Sequence, residues 1–188
     1  LENAAFDYLS ASRMNAMLNR ALVDFTDYWP WPWLRKQVTG PAPLEISDLR
    51  LVLHVSDPQG KEMWGMSDYE DVDYDFAGTP LNWWVDDTSG TATLKVWPVG
   101  DVDLTVRYVA EASILTQSDD EPPIPERYRH IWVDLAVLRG YLDSDNFSAA
   151  QALKQDIDQS LISLVERYET RNRMNSQNML IRLPSEDE

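Results

Sequence analysis

Apolar residues recur at a helical period near the start of the chain: Leu9, Ala16, Met17, Ala21 and Phe25, with no Pro or Gly among them. The spacing predicts a helix from about Ala4 to Asp27, with Asn3 or Asn15 as candidate caps. Its stop lies in Tyr28-Trp29-Pro30-Trp31-Pro32-Trp33, where two prolines remove backbone donors and push the preceding residues out of the helical region.

From about Leu44 to Leu115 the period changes to two. The runs Leu49 to Val55, Thr93 to Trp97 and Val102 to Tyr108 alternate as strands do, and Val102, Leu104, Val106 and Tyr108 fall on one face. Turn clusters separate them, at Asp57-Pro58-Gln59-Gly60, Ala77-Gly78-Thr79-Pro80, Asp87-Thr88-Ser89-Gly90 and Pro98-Val99-Gly100-Asp101. A small antiparallel unit of about five or six strands is expected.

Helical spacing returns after Pro122-Pro123-Ile124-Pro125. Ile131, Leu135, Leu138 and Leu142 predict a helix from Glu126 to about Leu142. Phe147, Ala150, Leu153, Ile157, Leu161, Leu164 and Tyr168 predict a longer one, from about Phe147 to Arg171, with a narrow apolar seam. The short polar link Asp143-Ser144-Asp145-Asn146 makes the pair an antiparallel hairpin. From Asn172 on the pattern fades into polar residues and the short apolar run Met179 to Leu183, which predicts an extended tail. The fold class expected is α+β: a helical bundle of residues 1–42 and 116–171, an inserted antiparallel β domain at 43–115, and a tail at 172–188.

Composition narrows the function. The 188 residues carry 32 Asp and Glu against 16 Lys and Arg, a net charge of −16 that repels phosphate and disfavours tight nucleic-acid binding. There is no cysteine, which excludes disulfides, thiol catalysis and Cys-bound metals. No apolar run approaches the ~20 residues that cross a bilayer. The N-terminal residues also lack the basic and apolar regions of a signal peptide, so a soluble, untargeted chain is expected.

Candidate chemistry is thin. The acidic run Asp68, Glu70, Asp71, Asp73 and Asp75 resembles a calcium loop, but Phe76 stands where Gly is needed and Asn82 where Glu is needed; a charged strand edge is the simpler account. His54 and His130 have no second ligand at zinc spacing. No phosphate-binding, dinucleotide-binding or serine-nucleophile motif occurs, and no carboxylate pair stands out. Trp64, Trp83, Trp84 and Trp97 either fill the core of the β unit or form a sugar-stacking platform. No catalytic residue, metal site or cofactor is expected, and binding to other proteins is the role left.

Two stretches resemble a known family. Tyr28-Trp29-Pro30-Trp31-Pro32-Trp33-Leu34-Arg35 closes the first helix as a Trp-Pro-Trp-Leu-Arg element does in adaptor proteins of the tailed-phage head–tail connector. Pro123-Ile124-Pro125-Glu126-Arg127-Tyr128-Arg129-His130-Ile131, leading through Ala136, Leu138, Tyr141 and Leu142, is similar to the start of the helical hairpin that ends those adaptors. There His commonly follows the Tyr directly; here Arg129 intervenes. The order of parts is similar to the subgroup with a β domain between its helices, as tail-tubular gatekeeper proteins also have.

The resemblance implies a dodecameric ring beneath the portal, made in the host cytoplasm and placed in the virion neck. Its partners would be copies of itself, the portal protein, a downstream stopper or tail component, and DNA passing through without sequence-specific binding, with no membrane. Met179, Leu180, Ile181, Arg182 and Leu183 become the portal-binding tail. Trp29, Trp31, Trp33, Tyr128, Trp132, Leu153, Ile157 and Leu161 become candidates for subunit interface or packing. The alternatives are another ring component, such as a stopper or tail terminator, a carbohydrate-binding β module, or a carboxylate-dependent hydrolase.

Overall fold

The computed structural model describes residues 10–66, 73, 76–117 and 119–180, with side chains in the last helix described through Arg171. The protein is α+β and has two units. One carries the helices α1 (Ala11–Asp27), α2 (Arg129–Asp143) and α3 (Phe147–Leu180); the other, built on Pro30–Ile114, carries seven strands among the described residues.

In the helical unit, α1 begins at Ala11 because the Ser10 hydroxyl accepts from the Arg13 N–H at 3.3 Å and caps the first turn. Asn15, a candidate cap, therefore lies inside the helix, and Asn3 lies outside the described residues. The buried face is Met17, Ala21, Leu22, Phe25 and Thr26. Ala16, expected on that face, is exposed, since it sits one position round the helix from Met17. Glu126–Tyr128 forms a single tight turn before α2 proper.

The inward face of α2 is Ile131, Trp132, Ala136 and Gly140, and α2 packs against both α1 and α3. Leu142, expected inside, is exposed. The aromatic Trp132 sets this rotation: its indole Nε1 donates to the Leu18 carbonyl at 2.9 Å, which turns that side of α2 toward α1.

Asp145 adopts φ 56°, a left-handed position that Asp tolerates, and Asn146 Oδ1 accepts from the Ala149 N–H at 3.4 Å to cap α3. Arg127 at the head of the hairpin bonds Tyr168 near the other end of its second arm, so the arms are antiparallel. The α3 seam of Ala150, Ile157, Leu161, Leu164 and Tyr168 is buried, while Phe147 is 64% exposed. The helix continues past Arg171 to Leu180, which corrects the extended tail expected from residue 172. Losing the apolar seam does not end a helix. No Gly or Pro stands between Phe147 and Leu180, and Arg, Met, Gln and Leu are good helix formers.

The β unit holds β1 (Arg35–Pro41), β2 (Leu44–Ile46), β3 (Leu49–Ser56), β4 (Trp64–Gly65), β5 (Asn82–Asp86), β6 (Ala92–Trp97) and β7 (Asp103–Ala110). One sheet has the order β1-β7-β3, all antiparallel; the other has the order β2-β6-β5-β4. In the second sheet β4 runs parallel to β5, which departs from the wholly antiparallel expectation. Ile46, Leu94 and Val96 from one sheet meet Val55, Leu104, Val106 and Tyr108 from the other in one core. Strand β1 lies ahead of the boundary expected at residue 43, because Arg35 to Pro41 pairs along β7. Gly60 at φ 83° and Gly90 at φ 82° close two of the expected turns in a conformation that favours glycine.

Strand β3 departs from its sequence pattern. Two bulges, between Leu49 and Leu51 and between Val52 and His54, stretch its inward period from two residues to three. Leu49, Val52 and Val55 face the core, and Leu51 and Leu53 are left 46% and 41% exposed.

Asp48, just before β3, fastens this sheet. It accepts from Lys36 Nζ of β1 at 2.6 Å and from Tyr108 Oη of β7 at 2.9 Å. Desolvation pulls its carboxyl up, but the bonds from Lys36 and Tyr108 outweigh that, and its pKa falls below the usual 3.8. Burial, with Asp48 alongside, pushes the Tyr108 phenol up to about 12. The Asp48 contribution is thus present above the unfolded carboxylate range and lost as pH falls through its depressed folded value. The Tyr108 contribution is complete below the unfolded value near 10.0 and is lost as pH rises toward about 12. Tyr108→Phe is expected to cost about 1 kcal/mol at neutral pH. In urea unfolding the wild-type advantage should shrink between about pH 10 and 12; an advantage constant across that window would contradict this assignment.

Candidate functional site

The two stretches that resemble adaptor elements are distant in sequence, and within the helical unit one residue of each, Trp29 and Tyr128, packs on Tyr168 of α3. Trp29, two residues past the end of α1, stacks on Tyr168 of α3 with ring centroids 6.4 Å apart and planes 28° from parallel. Tyr168 meets Tyr128 edge-on at 6.3 Å. The Arg127 guanidinium lies 4.7 Å from the Tyr128 ring centre and donates to Tyr168 Oη at 3.5 Å. Burial, followed by the bond with Tyr128, raises the Tyr168 pKa, with Arg127 opposing. Arg129, the residue that departs from the family pattern, donates from Nε to the Ile124 carbonyl at 3.2 Å and anchors the Pro-rich approach to α2.

Beside this cluster lies an open groove of about 300 Å³ between the start of α2 and the middle of α3. Arg127, His130 and Arg167 line it with Ser160 and Ser163, over a floor that includes Leu164, and no Asp or Glu is among its lining residues. Sequence reasoning missed this groove. Its signal was present: Ser160, Ser163 and Arg167 form a polar stripe beside the α3 seam, at helical spacing.

The candidate interface residues divide by burial. Trp31, Tyr128, Trp132, Ile157 and Leu161 are buried within this chain, and Trp29, Trp33 and Leu153 are half-buried. In the β unit Trp31 and Trp33 stack at 4.9 Å, nearly parallel at 10°. Among the described residues, the large apolar side chains that the helices expose are Met14, Val23, Val133, Leu142, Phe147 and Ile162. Met14, Val23, Val133 and Ile162 lie off the seams that periodicity selected, whereas Leu142 and Phe147 were expected on them and stand exposed at the helix ends. Of the expected tail, Met179 and Leu180 belong to α3, though their side chains lie outside the described residues, as do Ile181, Arg182 and Leu183 altogether.

The four tryptophans of the possible sugar platform separate. Trp84 is buried; Trp83 donates to the Met63 carbonyl at 3.1 Å and Trp97 to the Asp73 carbonyl at 3.1 Å. Trp64 alone of the four is largely exposed, at 69%, and a single open ring does not build a platform. His54 Nδ1 faces Glu62 at 3.4 Å, and His130 lines the groove. Among the described residues no group of His, Asp or Glu could hold a metal ion; the acidic run from Asp68 lies largely outside them. No helix among them is long and apolar enough to cross a membrane.

No individually curated protein matches the chain. Residues 3–180 match the family described as SU10 adaptor protein, which takes in both units and the whole of α3. The chain therefore belongs to the SU10 adaptor protein family and is a phage structural adaptor of the head–tail type.

Proposed function

We propose that the chain is a connector subunit whose copies form a ring, a dodecamer, beneath the portal of a tailed phage and join capsid to tail. The family match over residues 3–180 carries the reading. The aromatic cluster supports it, because Trp29 from the first adaptor-like stretch and Arg127 and Tyr128 from the second converge on Tyr168 in the helical unit. In this reading the helical unit is the adaptor bundle and the β unit an insertion into it. The hairpin packs against neighbouring copies through side chains such as Phe147 and Ile162, which one copy leaves exposed.

The end of α3 and the residues after it, Met179 to Leu183, reach the portal, and the β unit meets a stopper or tail component. The net charge of −16 lets DNA pass without adhering to the wall. The chain performs no catalysis and takes no cofactor; its place is the virion neck. A nonsense mutation in its gene is expected to leave DNA-filled heads without tails, restored by the protein supplied in trans. Fully tailed, infectious particles from the mutant would overturn the proposal.

A further inference from the structure

The groove at the head of the hairpin is a basic exception on an acidic chain. Five cations outside it meet carboxylates within the same molecule, Arg13 with Asp143, Lys36 with Asp48, Lys95 with Asp86, Arg139 with Asp24 and Lys154 with Asp158, while Arg35 and Arg107 bond a carbonyl and an amide. The groove gathers cations with no carboxylate among its lining residues. Among the described residues, Arg167 and His130 make no ion pair or hydrogen bond, although acidic side chains outnumber basic ones by 32 to 16. Arg127 has no carboxylate either; its guanidinium lies over the Tyr128 ring and donates to the Tyr168 hydroxyl. Two guanidiniums, an imidazole and the Ser160 and Ser163 hydroxyls thus converge on one concavity with an apolar floor at Leu164.

We infer that this groove receives an acidic side chain from a second copy of the chain. The inference rests on the ring reading and gives that ring one specific contact. Guanidinium forks match carboxylates with two parallel hydrogen bonds, and an apolar floor that excludes water strengthens the pair. The size of the groove, about 300 Å³, suits one or two side chains. A DNA duplex is held instead by many phosphate contacts along a rod, which two guanidiniums in a hollow on a chain of net charge −16 do not supply. A second copy brings its own excess of carboxylates, and in a ring the same groove is presented to every neighbour.

The test uses rings assembled on purified portal from equal parts of ¹⁴N- and ¹⁵N-labelled chain carrying R167K. A carbodiimide joins an amine to a carboxylate in direct contact, and mass spectrometry separates links within a copy from links between copies. The expected result is an amide between position 167 and an Asp or Glu of the other isotope. R167E should raise the concentration of chain needed for ring formation about tenfold or more, with its own unfolding midpoint unchanged. Rings that form normally with R167E, or whose position 167 links only within one copy or to the portal, overturn this inference and leave the ring standing. A wild-type chain that makes no ring on the portal overturns both.

Discussion

Deleting residues 176–188 is expected to abolish portal docking while leaving the unfolding midpoint of the chain nearly unchanged. The two effects separate because of where the hairpin is anchored. The last described buried side chain of α3 is Tyr168, so the cut leaves the seam from Ala150 to Tyr168 and its aromatic partners intact. What it removes is the polar end of the helix and the apolar run Met179, Leu180, Ile181 and Leu183. Each such side chain gains roughly 1.5–3 kcal/mol when buried against a partner. Even with most of that gain offset by ordering, a loss of ~4 kcal/mol is a factor of about a thousand in affinity.

Surface plasmon resonance on immobilised portal reads the docking, and thermal unfolding reads the fold. A truncated chain that binds with full affinity would remove the tail from the account. The helical course of α3 to Leu180 sharpens the expectation: part of the docking element is helix, so Gly substitutions within residues 172–178 should also weaken binding.

The second large effect is on stability. Trp31→Ala is expected to cost about 3–5 kcal/mol, the usual range for emptying a buried aromatic site. Trp31 is 0% exposed and stacks on Trp33, so truncation leaves a cavity and removes a ring contact together. Trp64→Ala, at a largely exposed ring, should fall within about 0.5 kcal/mol of wild type. Urea unfolding of the two variants compares them directly. Equal effects would contradict the burial assigned to Trp31 and would return it to the candidates for an interface between copies.

These contrasts show what the sequence made legible. The α3 seam was readable because one physical pattern persists for several turns and a polar corner starts it. Both resembling stretches were readable for a similar reason, since prolines punctuate them. Strand β3 misled because two bulges replace strict alternation with a three-residue inward period, and nothing in Leu49 to Val55 announces a bulge. Strand β1 was invisible because an edge strand such as Arg35 to Pro41, with one apolar side chain at Val38, satisfies its backbone on β7 without burying a face. The end of α3 is not legible because its amphipathicity fades near Arg171 while the helix itself runs on to Leu180.

The groove was hidden by distance. Arg127 and Arg167 belong to different helices, and only the hairpin brings them together. Trp29 and Tyr168 are a similar case, where each residue was singled out and the contact between them was not. The net charge showed that cations are scarce here, yet gave no hint that two of them stand without a carboxylate in one hollow.

The claim on which the rest depends is that copies of this chain form a ring on a portal. Electron microscopy of the purified chain mixed with its portal, with the mass of the complex measured alongside, tests it most directly. The account predicts a closed ring of twelve copies seated on the portal's tail-facing end, with α3 directed toward the portal. A portal that remains bare while the chain stays monomeric beside it would contradict the account.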